Sequence, residues 1–327
     1  MRLLAKILIG IGIVLAVLYA LSLRTIPDTI TYGVSFSKLH SDELHLDWKE
    51  AYRAVLEDLG VKHLRLSAYW PTIEPDQGRF DFSVLDYQMQ LAVSHKVDVI
   101  LAVGRKTPGW PECHFPDWTQ DLSKDDEHAA RISYITAVVN RYKDSPALRY
   151  WQVENEPFLS FAIDRCGAPD EAFFSQEIDL VRSLDPQHPI ITTDGGEFGT
   201  WHKARKYGDV FGSTMYLYVW SRHIGYWRYP ISAGFFRLKQ NVVDALFGKK
   251  PSILIELGLE PWLNQPIADT PIDEQLGHMS PERFEELIAL ASRTGFSEQY
   301  LWGAEWWYYM KAKGHPEFWE RAKRLFK

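Results

Sequence analysis

Along this chain, short runs of apolar and β-branched residues alternate with longer stretches whose apolar positions recur every three or four residues. The first pattern is that of a strand and the second that of an amphipathic helix, and their alternation reads as repeated βα units around a parallel sheet. Strands are expected at Thr31–Phe36, Lys62–Ser67, Val97–Val103, Leu148–Val153, Pro189–Thr193, Val210–Tyr216, Ser252–Glu256 and Glu298–Trp302. Helices are expected at Trp48–Leu59, Ser83–Lys96, Glu127–Tyr142, Glu171–Leu184, His202–Tyr207, within Phe235–Leu246, near Pro281–Arg293, and at Glu317–Phe326. The run Val97–Val103 is almost wholly apolar, as a strand covered on both faces requires. Eight strands, each followed by a helix, predict an α/β fold of the (β/α)8 TIM-barrel type, occupying residues 29–327 as one catalytic domain.

The N-terminus breaks the rhythm. Arg2 and Lys6 precede a charge-free run from Ile7 to Leu23, which Arg24 ends. At 1.5 Å per residue that run reaches roughly 26 Å, close to a ~30 Å hydrocarbon core. Residues 1–28 are therefore expected to be an N-terminal membrane anchor, a single transmembrane helix or signal-anchor, or else a cleaved signal peptide. The basic flank places the N-terminus in the cytoplasm and the catalytic domain outside it; cleavage would make the protein secreted.

Composition narrows the function. A net charge of −7 with mixed signs argues against a nucleic-acid partner. The 2 cysteines and 11 dispersed histidines show no metal-ligand spacing, and there is no glycine-rich phosphate loop or nucleophile elbow, so no metal and no cofactor are expected. Thirteen tryptophans are unusual for this length. Trp70, Trp110, Trp220, Trp262, Trp302, Trp306 and Trp307 fall at or after predicted strand ends, where flat indoles can stack on sugar rings. Trp302, closing the eighth strand, is the expected platform nearest the chemistry. Trp70, Trp110 and Trp306 are candidates for further subsites.

In such a barrel the chemistry lies at the C-terminal ends of the strands. The fourth strand ends in Glu154-Asn155-Glu156-Pro157 and the seventh in Glu256-Leu257-Gly258. Strands four and seven lie on opposite sides of the ring, so Glu156 and Glu256 can converge. Two carboxyl groups across a cleft are what glycoside hydrolysis needs: one protonates the leaving oxygen, and the other attacks the anomeric carbon or activates water. Glu260 competes with Glu256 but lies four residues on, in the loop, where a sugar-binding role fits it better.

Glu-Asn-Glu-Pro after the fourth strand, with Ile-Glu-Leu-Gly at the seventh, resembles clan A glycoside hydrolases, which include family 5 cellulases and many β-galactosidases. The resemblance implies Glu156 as acid/base, Glu256 as nucleophile, Asn155 as a ligand of the sugar 2-hydroxyl, Arg65 beside the nucleophile, and Tyr216 touching it, with Tyr218 as the alternative. An arginine at position 65 would give an anionic nucleophile its cationic partner. The chain departs from family 5 in two places. It reads Gly104-Arg105-Lys106-Thr107-Pro108-Gly109-Trp110 where a histidine is common, and Thr214-Met215-Tyr216 where His-x-Tyr is common. The expected function is a retaining O-glycosyl hydrolase with a carbohydrate substrate. The alternatives are a silent glycan-binding barrel or a transglycosylase using the same residues. Cys113 and Cys166 fall in neighbouring loops of the active-site face and are expected to form a disulfide.

Overall fold

The computed structural model describes residues 9, 10, 12, 16, 19, 20, 23, 25–109, 112–159 and 166–327. In chain order its strands are β1 (Thr31–Ser35), β2 (His63–Ser67), β3 (Asp98–Val103), β4 (Leu148–Val153), β5 (Ile190–Asp194), β6 (Val210–Met215), β7 (Tyr218–Ser221), β8 (Gly225–Arg228), β9 (Ser252–Gly258) and β10 (Glu298–Trp302). Eight of them close a parallel barrel in the order β1-β10-β9-β6-β5-β4-β3-β2, while β7 and β8 pair only with each other as an antiparallel hairpin. The eight barrel strands are the eight that the hydrophobic rhythm predicts, with ends shifted by one or two residues.

The helices form where local chemistry allows a start. Asp47 accepts from the amides of Lys49 and Glu50 at 2.9 and 3.2 Å and opens Trp48–Glu57. Ser123, Asp170 and Ser280 likewise cap Lys124–Tyr142, Glu171–Leu184 and Pro281–Ala291. Each cap satisfies an amide that has no intrahelical partner, worth about 1 kcal/mol. The apolar faces bury one large cluster between barrel and helices, and a smaller one of Ile100, Ile191, Val210, Ile253, Ile255 and Tyr300. At the opposite end from the predicted site, Arg149 donates to both carboxylate oxygens of Glu298, at 2.8 and 3.0 Å.

Two corrections follow. The apolar run 7–23 lies largely outside the described residues, and a spanning helix needs about 20 consecutive apolar residues. Among the described residues no helix is long and apolar enough to cross a membrane, which overturns the expected membrane-anchored, single-pass placement. The second concerns the rim after β10. Gly303, at φ +120°, turns the chain straight into a helix, Ala304–Ala312, which the hydrophobic rhythm does not predict. That helix carries Trp306 and Trp307 inward, and both are completely buried.

Candidate active site

The C-terminal ends of β2, β4, β6 and β9 bring together five of the residues singled out from sequence. Glu256, on β9, takes the guanidinium of Arg65 through Nη1 and the hydroxyl of Tyr216. Arg65, on β2, is itself fully positioned: its Nε donates to Gln152 Oε1 at 2.8 Å and its Nη2 to Asn155 Oδ1 at 2.7 Å. A charge-assisted contact of this kind fixes the carboxylate's orientation as well as its partner. Burial raises the Tyr216 hydroxyl well above its ordinary range, and the charge of Glu256 adds to that, so the tyrosine stays a donor. Tyr218 starts the hairpin instead, and its hydroxyl donates to Glu286 at 3.1 Å. The tyrosine against Glu256 is therefore Tyr216, and Tyr218 is corrected.

Glu156 follows β4 at φ +44°, in the left-handed region that a non-glycine residue occupies only when its surroundings hold it. They do: its amide donates to Thr193 Oγ1 at 2.8 Å, Lys106 Nζ donates to its carbonyl at 2.9 Å, and Thr214 donates to its Oε1 at 2.7 Å. Thr214 is the register partner of Glu256 in the β6–β9 ladder, just past a register shift between Ser213 and Thr214. One hydrogen bond and one strand spacing, ~4.8 Å, thus connect the two carboxyl groups. Burial raises the Glu156 carboxyl well above the usual carboxylate range; the charge of Glu112 adds to this, Lys106 opposes it, and Glu256 adds further. The arrangement pairs one buried carboxyl that favours its proton with one carboxylate held by a cation and a phenol. Together they can donate a proton at one side of a cleft and a nucleophile at the other.

Glu154 takes no part in this pair. It accepts from the amides of Arg105, at 2.8 Å, and Lys106, and from Arg131 Nη1 at 3.4 Å. Gly104, at φ +126°, packs so closely that an added Cβ would meet the Glu154 carboxylate at 2.6 Å, so glycine is required there.

The tryptophans divide. Trp302, 7% exposed, donates from Nε1 to Glu260 Oε1 at 2.7 Å, and its ring lies stacked with His40 at 6.1 Å between centroids. Glu260 Oε2 is 2.9 Å from His40 Nε2, so Glu260 ties the Trp302 ring to His40. Trp70 and Trp306 are not rim residues. Trp70 stacks on Tyr134 and donates to Glu74 at 2.8 Å, and Trp306 donates to Gln275 at 2.7 Å, both with no exposed surface. An indole at a strand end can turn into the barrel–helix layer as readily as toward the cleft, and the sequence position does not say which. Trp110 lies outside the described residues. Trp262, 36% exposed, packs edge-on against Tyr216 at 5.2 Å.

Sequence reasoning missed Glu112, Lys106 and Thr214. The loop after β3 folds back so that Lys106 bridges to Cys113, and Cys113 is joined to Cys166 with their Cα atoms 5.4 Å apart. At its turn Glu112 accepts from Asn155 Nδ2 at 3.2 Å and lies 3.0 Å from Lys106 Nζ. A single acid beside a cysteine in that loop was the only available signal.

Residues 42–228 match the family profile described as β-galactosidase, glycoside hydrolase 42. Among curated relatives, β-galactosidase Bga of Halorubrum lacusprofundi is 26% identical over 184 residues, 42% of this chain and 25% of the relative. Mannan endo-1,4-β-mannosidase A of Podospora anserina is 32% identical over 141 residues, 39% of this chain and 36% of the relative. The chain spans about a quarter of the length of the β-galactosidase with the strongest of these matches. Among solved structures, GH5_18 from Bifidobacterium longum subsp. longum superposes with a TM-score of 0.61 at 14% identity, covering 84% of this chain and 70% of that one. The β-galactosidase of Halorubrum lacusprofundi does so with a TM-score of 0.53 at 18% identity, covering 84% and 52%. These superpositions show the barrel fold. The profile match covers more than half of the sequence, and the chain belongs to glycoside hydrolase family 42, the β-galactosidase family.

Proposed function

We propose that the protein is a retaining hydrolase of β-glycosides, with Glu256 as nucleophile and Glu156 as acid/base. The observation that carries the reading is the asymmetry of the pair. Both are buried, but Glu256 is held by Arg65 and Tyr216, whereas the Glu156 carboxyl is bonded to a neutral hydroxyl. In the first step Glu256 attacks the anomeric carbon while the glycosidic C–O bond breaks, and Glu156 gives its proton to the leaving oxygen. In the second, Glu156 takes a proton from water, the water oxygen attacks the same carbon, and the ester to Glu256 breaks. The Tyr216 hydroxyl and Arg65 support the carboxylate that departs. Trp302 is the platform under the reacting sugar, and Asn155, whose Oδ1 accepts from Arg65 and whose Nδ2 donates to Glu112, is the ligand of the sugar 2-hydroxyl.

Family membership makes β-galactosides the first substrates to test, with β-mannosides second on the strength of the mannosidase relative. The test is a panel of aryl β-glycosides with wild type, Glu256→Ala and Glu156→Ala. Turnover is expected to fall at least about 10⁴-fold in Glu256→Ala, and azide is expected to restore it as a glycosyl azide of inverted configuration. Unchanged turnover in Glu256→Ala would exclude the assignment.

A further inference from the structure

Glu112 is a third carboxylate of the cleft. It enters neither from a strand end nor from a helix, but from the turn of the loop after β3. Its backbone is left-handed at φ +66°, and its carbonyl accepts from the Thr107 amide at 2.9 Å, so the turn is closed on itself. Cys113, the next residue, is tied to Cys166, which anchors that turn to the loop after β4. The carboxylate so held makes two contacts that matter. Oε1 accepts from Asn155 Nδ2 at 3.2 Å, and Oε2 lies 3.0 Å from Lys106 Nζ. Lys106 in turn donates to the Glu156 carbonyl at 2.9 Å. Asn155 is thereby gripped from both sides: its oxygen by Arg65 and Gln152, its nitrogen by Glu112.

We propose that Glu112 is a positioning residue of the catalytic centre: it orients the Asn155 amide and, with Lys106, sets the charge that the acid/base carboxyl of Glu156 experiences. This rests on the reading of Glu156 as acid/base. The charged or titratable groups facing Glu156 are Glu112 and Lys106 from the loop after β3, Glu256 from β9 and Tyr216 after β6, with Arg65 of β2 one residue away through Asn155. Arg65 pairs directly with Glu256 and so offsets that charge, whereas Glu112 is offset chiefly by Lys106, with a smaller contribution from Arg65. In the glycosyl-enzyme the charge of Glu256 is consumed in the ester, and Glu112 is the anion that persists beside Glu156. Loss of the Glu256 charge lowers the proton affinity of Glu156 as it turns from acid to base, and the Glu112–Lys106 pair sets the level about which that change occurs.

The experiment is the pH profile of kcat/KM on an aryl β-glycoside with a poor leaving group. Glu112→Gln keeps the size and an acceptor for Asn155 but removes the charge, and its alkaline limb is expected to move to lower pH by roughly one unit. Lys106→Gln removes the opposing charge, and its limb is expected to move to higher pH. Glu112→Asp, keeping the charge, is expected to return the limb toward wild type. Opposite shifts of the first two variants support the proposal; a limb that coincides with wild type in Glu112→Gln overturns it. If Glu112→Gln does not fold, Lys106→Gln decides, and an unshifted limb there overturns it equally. Glu156→Gln separates the two levels. If that variant keeps both its rate and its alkaline limb on the same substrate, the reading of Glu156 has failed, and the result bears on that assignment rather than on Glu112.

Discussion

At the scale of single residues, the site is a set of side chains whose partners leave little freedom. Arg65 spends its donors on Gln152, Asn155 and Glu256. Arg65→Met removes the cation beside a buried carboxylate and frees two acceptors at once. It is expected to lower kcat/KM by at least about 100-fold with a loss of stability on the order of 3 kcal/mol, read by urea unfolding. The tryptophans offer a sharper contrast. Trp302→Ala is expected to raise KM about tenfold, the loss of roughly 1.4 kcal/mol of stacking, with little change in unfolding midpoint. Trp306→Ala is expected to do the reverse: a cost of about 3–5 kcal/mol in stability for an indole with no exposed surface, and normal KM in the protein that folds. Equal effects of the two on KM would contradict this division. Glu156 and Glu256 were legible because they stand at the ends of barrel strands, whereas Asn155, Arg65 and Tyr216 were legible only through the family resemblance. Glu112 was not, because its place depends on how a loop folds back across the mouth. Trp70 and Trp306 misled because an aromatic residue at a rim carries no sign of which layer it enters.

At the scale of elements, the barrel strands were readable from apolar runs, and seven of the eight pairings join barrel strands consecutive along the chain, the eighth closing β1 on β10. The loop insertions were not readable. The β7–β8 hairpin follows β6 after a two-residue gap and carries half-exposed and exposed side chains, so it lacks the buried alternation that marks a strand. The short helix Ala304–Ala312 is apolar on nearly every side, so it shows no amphipathic period. The loop after β3 depends on a covalent tie. Cys113 and Cys166 are 53 residues apart, and closing such a loop is worth ~4 kcal/mol in the chain-entropy model. Reduction under native conditions is therefore expected to lower the unfolding midpoint. Because Glu112 neighbours Cys113, it is also expected to lower kcat/KM before global unfolding. Activity that survives reduction unchanged would detach that loop from the site.

At the scale of the whole molecule, the barrel buries ionisable groups at its mouth, and this sets a pH dependence of stability. Burial raises Glu305 to about 7, against the opposing charge of His40. Its folded proton affinity exceeds its unfolded one, so the native state binds more protons between the ordinary carboxyl range and about 7. Stability from this group is therefore full at low pH and is lost as pH rises through that window, at up to about 1.4 kcal/mol per unit. Glu305→Gln is expected to flatten the unfolding midpoint between pH 5 and 7, and an unaltered slope would remove Glu305 from the account. The same burial that taxes stability at Glu156 supplies the acid that the proposed chemistry requires. The central claim is that Glu256 becomes covalently attached to the sugar, and trapping tests it most directly. Incubation with a 2-deoxy-2-fluoro β-glycosyl fluoride, followed by peptide mapping, is expected to place one glycosyl group on the peptide that contains Glu256. An adduct on Glu260, or no adduct with a product of inverted anomeric configuration, would contradict it.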